Sequence, residues 1–183
     1  MKYFFGFLAA VALIVVVFIL IIRGLGGGRP KLQTQLIDYA KTQTIVRMTV
    51  EGPVKADQDQ RSVTTTVGRS TSTIELRQGY QNNVINTKSY TNNEEAYATF
   101  LRALDLQGYT KGNDDPDRED SRGVCPTGRV YTFEIITGSS DVQRFWTTSC
   151  GGGTFKGKTD IIRRLFRAQI PEYAKVTTGT GLN

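Results

Sequence analysis

The sequence predicts an α+β protein: an N-terminal transmembrane helix followed by one domain with an antiparallel sheet of about six strands and helices on one face. Three observations carry this. An uncharged apolar run opens the chain, segments of period two cluster in two groups, and two amphipathic helical patterns stand apart from those groups.

The apolar run is Tyr3 to Ile22, 20 residues without a charge. As a helix it would span about 30 Å, the thickness of a bilayer core, with every backbone polar group satisfied internally. Lys2 and Arg23 bound it. A cleaved signal peptide fits less well, because its apolar region is about 7–15 residues long and ends at small residues, whereas this run ends in Ile-Leu-Ile-Ile-Arg. The expectation is an uncleaved single-pass signal anchor over 1–23, with residues 3–22 in lipid. Gly24-Leu-Gly-Gly-Gly-Arg-Pro30 cannot continue a helix and reads as a neck over 24–30.

Alternation begins after a short helical pattern at 32–40, whose apolar members are Leu32, Leu36, Ile37, Tyr39 and Ala40. Val46, Met48 and Val50 alternate with polar residues, as do Val63, Thr65 and Val67. Ile74 and Leu76 mark a third strand and Val84 to Tyr90 a fourth, separated by turn residues and rich in Thr. Asn92 with Glu95 is the expected N-terminal box of a helix whose stripe is Ala96, Tyr97, Phe100, Leu101 and Leu104, with Gly108 ending it. Arg129 to Ile136 and Val142 to Thr148 form a hairpin signal around Gly138. A second helix starts at Thr159 or Asp160. Ile161, Ile162, Leu165, Phe166 and Ile170 share one face, Arg163, Arg164 and Arg167 take the other, and Pro171 stops it. The expected domain is therefore 31–173, with 174–183 as a flexible tail.

The chain has 183 residues, 23 Lys and Arg against 17 Asp and Glu, and no His. No His excludes a Ser-His-Asp triad, a Cys-His dyad and an H-E-x-x-H zinc site. Two Cys cannot build a four-thiolate metal site. Only Lys2 and Arg23 precede Arg29, so the body beyond the anchor is only mildly basic, which does not point to nucleic acid. No paired carboxylates stand in a catalytic context, and neither a cofactor nor a metal is expected.

Cys125 precedes the first hairpin strand and Cys150 ends the second. If the turn centres on Gly138 to Ser140, Cys125 lies opposite Gly152, one diagonal step from Cys150, so a small register shift brings the thiols within bridging reach. A disulfide requires an oxidising compartment and so places the domain outside the cytoplasm. The charges flanking the anchor lean weakly the other way, with Arg23, Arg29 and Lys31 after it against Lys2 and the α-amino group before it. The cysteines are the stronger guide, because so little chain precedes the helix.

Gly152-Gly-Thr-Phe-Lys156-Gly157-Lys158-Thr159 matches the phosphate-loop pattern G-x-x-x-x-G-K-[ST]. Too little chain follows Thr159 to complete such a domain, and the preceding strand is amphipathic rather than continuously apolar. A weaker version survives: Gly152, Lys156, Gly157, Lys158 and Thr159 with Arg163, Arg164 and Arg167 could hold an anion at a helix N-terminus. Asn113 to Asp120 has the alternation of a Ca²⁺ loop, but Arg118 stands where Gly is needed and Val124 where Glu is. Trp146, Tyr131, Phe133 and Phe145 read as core rather than as a stacking platform.

Arg129-Val-Tyr-Thr-Phe-Glu-Ile, Arg144-Phe-Trp-Thr-Thr-Ser-Cys150 and Leu165-Phe-Arg-Ala-Gln-Ile-Pro-Glu-Tyr173 resemble stretches of uncharacterised single-pass, envelope-anchored proteins of candidate-phylum bacteria. The resemblance implies an extracytoplasmic location and no known activity. Pilins differ: Phe5 is apolar where they carry Glu, and the glycines at 24–28 break the helix. The expected function is a membrane-anchored, non-catalytic extracytoplasmic domain that binds an envelope protein or an anionic polymer. The alternatives are an NTP- or polyanion-binding protein using Gly152 to Thr159, and an enzyme inhibitor. The oligomeric state is left open.

Overall fold

The computed structural model describes residues 35–113 and 119–182. Contacts divide the chain into two units, Met1–Pro30 and Lys31–Asn183. The expected anchor and neck lie outside the described residues, and among the described residues no helix is long and apolar enough to cross a membrane.

The second unit is α+β. Its strands are β1 (Thr44–Glu51), β2 (Arg61–Val67), β3 (Thr71–Gln78), β4 (Asn83–Thr91), β5 (Val130–Thr137) and β6 (Ser140–Thr148). They form one sheet in the order β4-β3-β2-β1-β5-β6. Every neighbouring pair is antiparallel. The two sequence groups of strands thus join where β5 lies against β1.

Period-two patterning assigns the faces. Val46, Met48 and Val50 stand opposite Val67, Thr65 and Val63 on one side and Ile135, Phe133 and Tyr131 on the other. All are buried and form the core layer. Helix α1 (Glu94–Leu106) covers this layer with Tyr97, Phe100, Leu101 and Leu104. Helix α2 (Thr159–Ala168) adds Ile162 and Phe166, and the rings of Phe100 and Phe166 meet edge to face at 5.2 Å. All four of these α1 residues and both from α2 belong to the same apolar cluster as the β1 valines, so the helices share one face of the sheet.

Local chemistry corrects several expectations. The N-cap of α1 is Asn93, whose side chain accepts the Ala96 N–H at 2.9 Å; Asn92 instead donates to the Gly68 carbonyl at 2.7 Å, tying the helix start to the β2–β3 turn. The expected helix at 32–40 is, in its described part, a 3₁₀ turn at Leu36–Lys41, closed where the Thr42 hydroxyl and N–H both donate to the Tyr39 carbonyl. Ala96 is exposed rather than on the buried stripe. Nor do Arg163 and Arg167 project from the outer face of α2. Their guanidiniums lie over the rings of Tyr131 and Tyr173, 4.6 and 5.2 Å from the centroids.

The stretch expected as a flexible tail packs against the body. After the short helix α3 (Tyr173–Val176), Thr177 and Leu182 are buried, and Leu182 lies so close to Gly52 that a β-carbon there would sit 3.2 Å from its Cδ2. The apolar character of one terminal leucine was outweighed in the sequence by the Thr and Gly around it. The folded body therefore extends at least to Leu182.

Cys125 and Cys150 are joined in a disulfide with Cα atoms 6.0 Å apart. The hairpin turn is tighter than expected: Thr137 pairs with Ser140, so β6 begins at Ser140 and not at Val142. Gly138 takes a positive φ of 62° inside that turn.

Candidate functional site

The face of the sheet opposite the helices is polar by the same alternation. Between the core residues of β1 stand Arg47, Thr49 and Glu51. Register places Arg47 beside Glu134 and Glu134 beside Arg144, and Thr49 between Thr64 and Thr132. A row Arg–Glu–Arg thus crosses β1, β5 and β6 with a row of threonines one step away.

Glu134 is the hinge of that row. Arg47 Nη1 lies 3.8 Å from its Oε2 and Arg144 Nε 3.6 Å from its Oε1, while its side chain is only 13% exposed. Burial pushes its carboxyl above the usual value and Asp141 pushes the same way; Arg47, Arg144 and Arg77 pull against them without cancelling the rise. Glu51, further along the face, is raised by desolvation with Arg144 opposing. Arg47 Nε also donates to the Thr66 hydroxyl at 3.4 Å, and the Thr49 and Thr64 hydroxyls lie 3.3 Å apart.

These residues line a depression of about 210 Å³. It shares Glu51, Asn82 and Arg144 with a larger cavity of about 600 Å³ beside it. The β3–β4 turn supplies Tyr80 and Asn82 to this cavity, β2 supplies Ser62, and the chain at 119–126 forms the opposite wall. That wall is fastened to the sheet: Arg144 Nη1 donates to the Glu119 carbonyl at 3.3 Å, and Val54 N–H donates to the Pro126 carbonyl at 2.8 Å. The disulfide holds the far end of the same wall through Cys125, which also lines the cavity. Arg122 is clasped by Asp120, Nε donating to both carboxylate oxygens at 2.9 Å, and this holds the Asp120 carboxyl down to about 2. The arrangement offers hydroxyls, amides and charges of both signs on a rigid floor, suited to holding a polar ligand by several hydrogen bonds. Among the described residues, no three carboxylates or thiols gather to hold a metal ion.

The residues singled out in the sequence as an anion site are placed differently. The segment from Gly152 to Thr159 is a strap that runs back along β6 and on to the end of α1. Phe155 N–H donates to the Trp146 carbonyl, Lys156 N–H to Lys111 and Lys158 N–H to Gln107, each at 2.9 Å. Those donors are committed to the protein's own carbonyls, whereas a phosphate cradle needs them turned to the ligand. Gly153 has a φ of 93° and pairs with Thr147, where a β-carbon would collide with the Trp146 carbonyl. Gly157 is equally constrained, since a β-carbon there would strike the Gly108 carbonyl. The glycines serve close packing. Thr159 opens α2 after Lys158, which provides no side-chain cap. Arg163 pairs with Asp160 at 3.2 Å and lies over Tyr131, Arg167 lies over Tyr173, and Arg164 is exposed. Trp146, Tyr131, Phe133 and Phe145 are all buried.

Arg47, Glu134, Arg144, Tyr80 and Asn82 carry no motif in the sequence that marks them as a site. The alternation that holds Arg47, Glu134 and Arg144 was visible and Tyr80 and Asn82 stood in an expected turn, but the neighbouring of β1 and β5 that brings Arg47 to Glu134 was not. No family model matches the chain, and no curated protein matches it.

Proposed function

We propose that this chain is a membrane-tethered, non-catalytic binding domain displayed outside the cytoplasm, recognising its envelope partner through the open polar face of the sheet. The observation that carries the reading is the Arg47–Glu134–Arg144 row with its adjoining cavity, on the face that the helices leave uncovered. A sheet covered on one side by helices normally leaves its other side to solvent or to a partner.

Two further features support the setting. The apolar run 3–22 has the length and composition of a single membrane span. The Cys125–Cys150 bridge suits an oxidising compartment. The location matches the resemblance to envelope-anchored bacterial proteins, which stays part of this proposal.

Surface labelling tests it. Lys88 on β4 is exposed, so a membrane-impermeant amine reagent added to intact cells is expected to modify it. Modification seen only after the cells are broken open contradicts the reading.

A further inference from the structure

The cavity beside the Arg–Glu–Arg row carries an unusual aromatic. Tyr80 is 56% exposed, yet its position is fixed at both ends. Its hydroxyl donates to the Lys55 carbonyl and its backbone N–H to Asp57 Oδ1, each at 2.8 Å. The turn beneath it is closed by Asn82 N–H donating to the Gly79 carbonyl at 3.1 Å, with positive φ at both residues. A tyrosine left in water ordinarily keeps its rotamer freedom; here that freedom is removed before any ligand arrives, and a large flat apolar surface is held ready.

Around Tyr80 the lining is hydrogen-bonding and carries no excess of positive charge. Gln60 is held by the Lys55 N–H and the Gly52 carbonyl, and the Ser62 hydroxyl donates to Asn82 Oδ1 at 3.3 Å, which leaves the Asn82 amide N–H groups as donors and the Ser62 oxygen as an acceptor for a ligand. The basic groups in the wall are matched: Arg122 is clasped by Asp120, and Arg144 leans on Glu134. With Glu51 and Glu119 also in the lining, the site has no excess positive charge with which to select an anion. A pyranose ring fits its chemistry, having one face of C–H bonds that stacks on an aromatic ring and a rim of hydroxyls that both donate and accept. The cavity, at about 600 Å³, falls within the roughly 300–1,000 Å³ range of small-molecule sites.

We infer that this cavity is a saccharide site, with Tyr80 as the stacking platform and the Asn82 amide and Ser62 hydroxyl hydrogen-bonding the hydroxyls of a neutral oligosaccharide. The inference rests on the proposed binding role of the open face and names the chemical class of its ligand.

The test is an array of neutral, acidic and amino-sugar oligosaccharides probed with the full chain in a detergent that has no sugar headgroup. Neutral glycans are expected to be retained, with affinity falling at least tenfold in Tyr80→Ala and only a few-fold in Tyr80→Phe, which keeps the ring. Thermal unfolding of both variants is expected to match the parent, since the ring is exposed. An array with no retained glycan, retention of acidic glycans alone, or retention unchanged in Tyr80→Ala overturns the inference. If the array is blank while crosslinkers on the open face capture a protein in cells, the saccharide assignment fails alone; if both are blank, the binding role fails with it.

Discussion

Glu134 Oε1 lies 3.6 Å from Arg144 Nε across the β5–β6 ladder, in a place where the carboxyl is mostly buried. The ion pair does not repay the full cost of removing the carboxylate from water, because the Glu134 value is raised despite two arginines beside it. The sign follows. A carboxyl raised on folding contributes stability below its unfolded value, and that contribution is lost as pH rises through its folded value. Glu134→Gln, which resembles the protonated form, is therefore expected to match the parent near pH 4 and to be equally or slightly more stable at pH 7, by no more than about 1 kcal/mol. Arg144→Ala should cost about 1 kcal/mol at pH 7, because it removes one of the arginines that offset the burial of Glu134. Denaturant unfolding of the three proteins between pH 4 and 7 checks both; a large loss in Glu134→Gln at pH 7 contradicts this account.

The bridge between Cys125 and Cys150 spans a sequence separation of 25. Closing a loop of that size stabilises a fold by about 3 kcal/mol through the unfolded chain. The double variant Cys125→Ser/Cys150→Ser should lose about that much in urea unfolding. A reductant should lower the parent to the same level and leave the variant unmoved.

Tyr109 is wholly buried, and its hydroxyl lies 2.9 Å from the carbonyls of both Arg47 and Glu134. It fastens the chain after α1 beneath the very strand pair that carries the polar row. Its ring packs against Phe133 and Phe166, with centroids 5.9 and 5.8 Å away. Tyr109→Phe keeps that packing and loses only the hydroxyl, so it should cost about 1–2 kcal/mol with an unchanged denaturant slope.

Leu182, 1% exposed, closes the end of the sheet near Gly52. Leu182→Ala should cost about 2–3 kcal/mol, the lower part of the range for truncating a buried leucine. A frayed terminus would make the same change silent, so calorimetry of this one variant separates the two descriptions.

How far the sequence disclosed the molecule varied with the range of the interaction involved. Val46, Met48 and Val50 announced both a strand and its buried face, because burial on one side imposes period two. Gly108 announced the end of α1, where the chain needs a φ of 76°. The cysteine bridge was within reach because hairpin geometry is local. Asn92 and Asn93 were harder to tell apart, since both can cap and the choice was made by the Gly68 carbonyl in a distant turn. The Arg47–Glu134 contact joins residues far apart in the chain and depended on β5 choosing β1 as its neighbour, which alternation alone does not specify. The glycine-rich stretch at 151–157 misled for a related reason: a motif records residue types, while the close approach of Gly153 to β6 and of Gly157 to α1 records a tertiary need.

In-cell photocrosslinking from two positions tests the binding account most directly. A photoreactive residue at Thr49, on the open face, is compared with one at Thr99, on the exposed side of α1. The account predicts a discrete adduct from position 49 and none from position 99. Adducts from position 99 alone, or none from either, would contradict it.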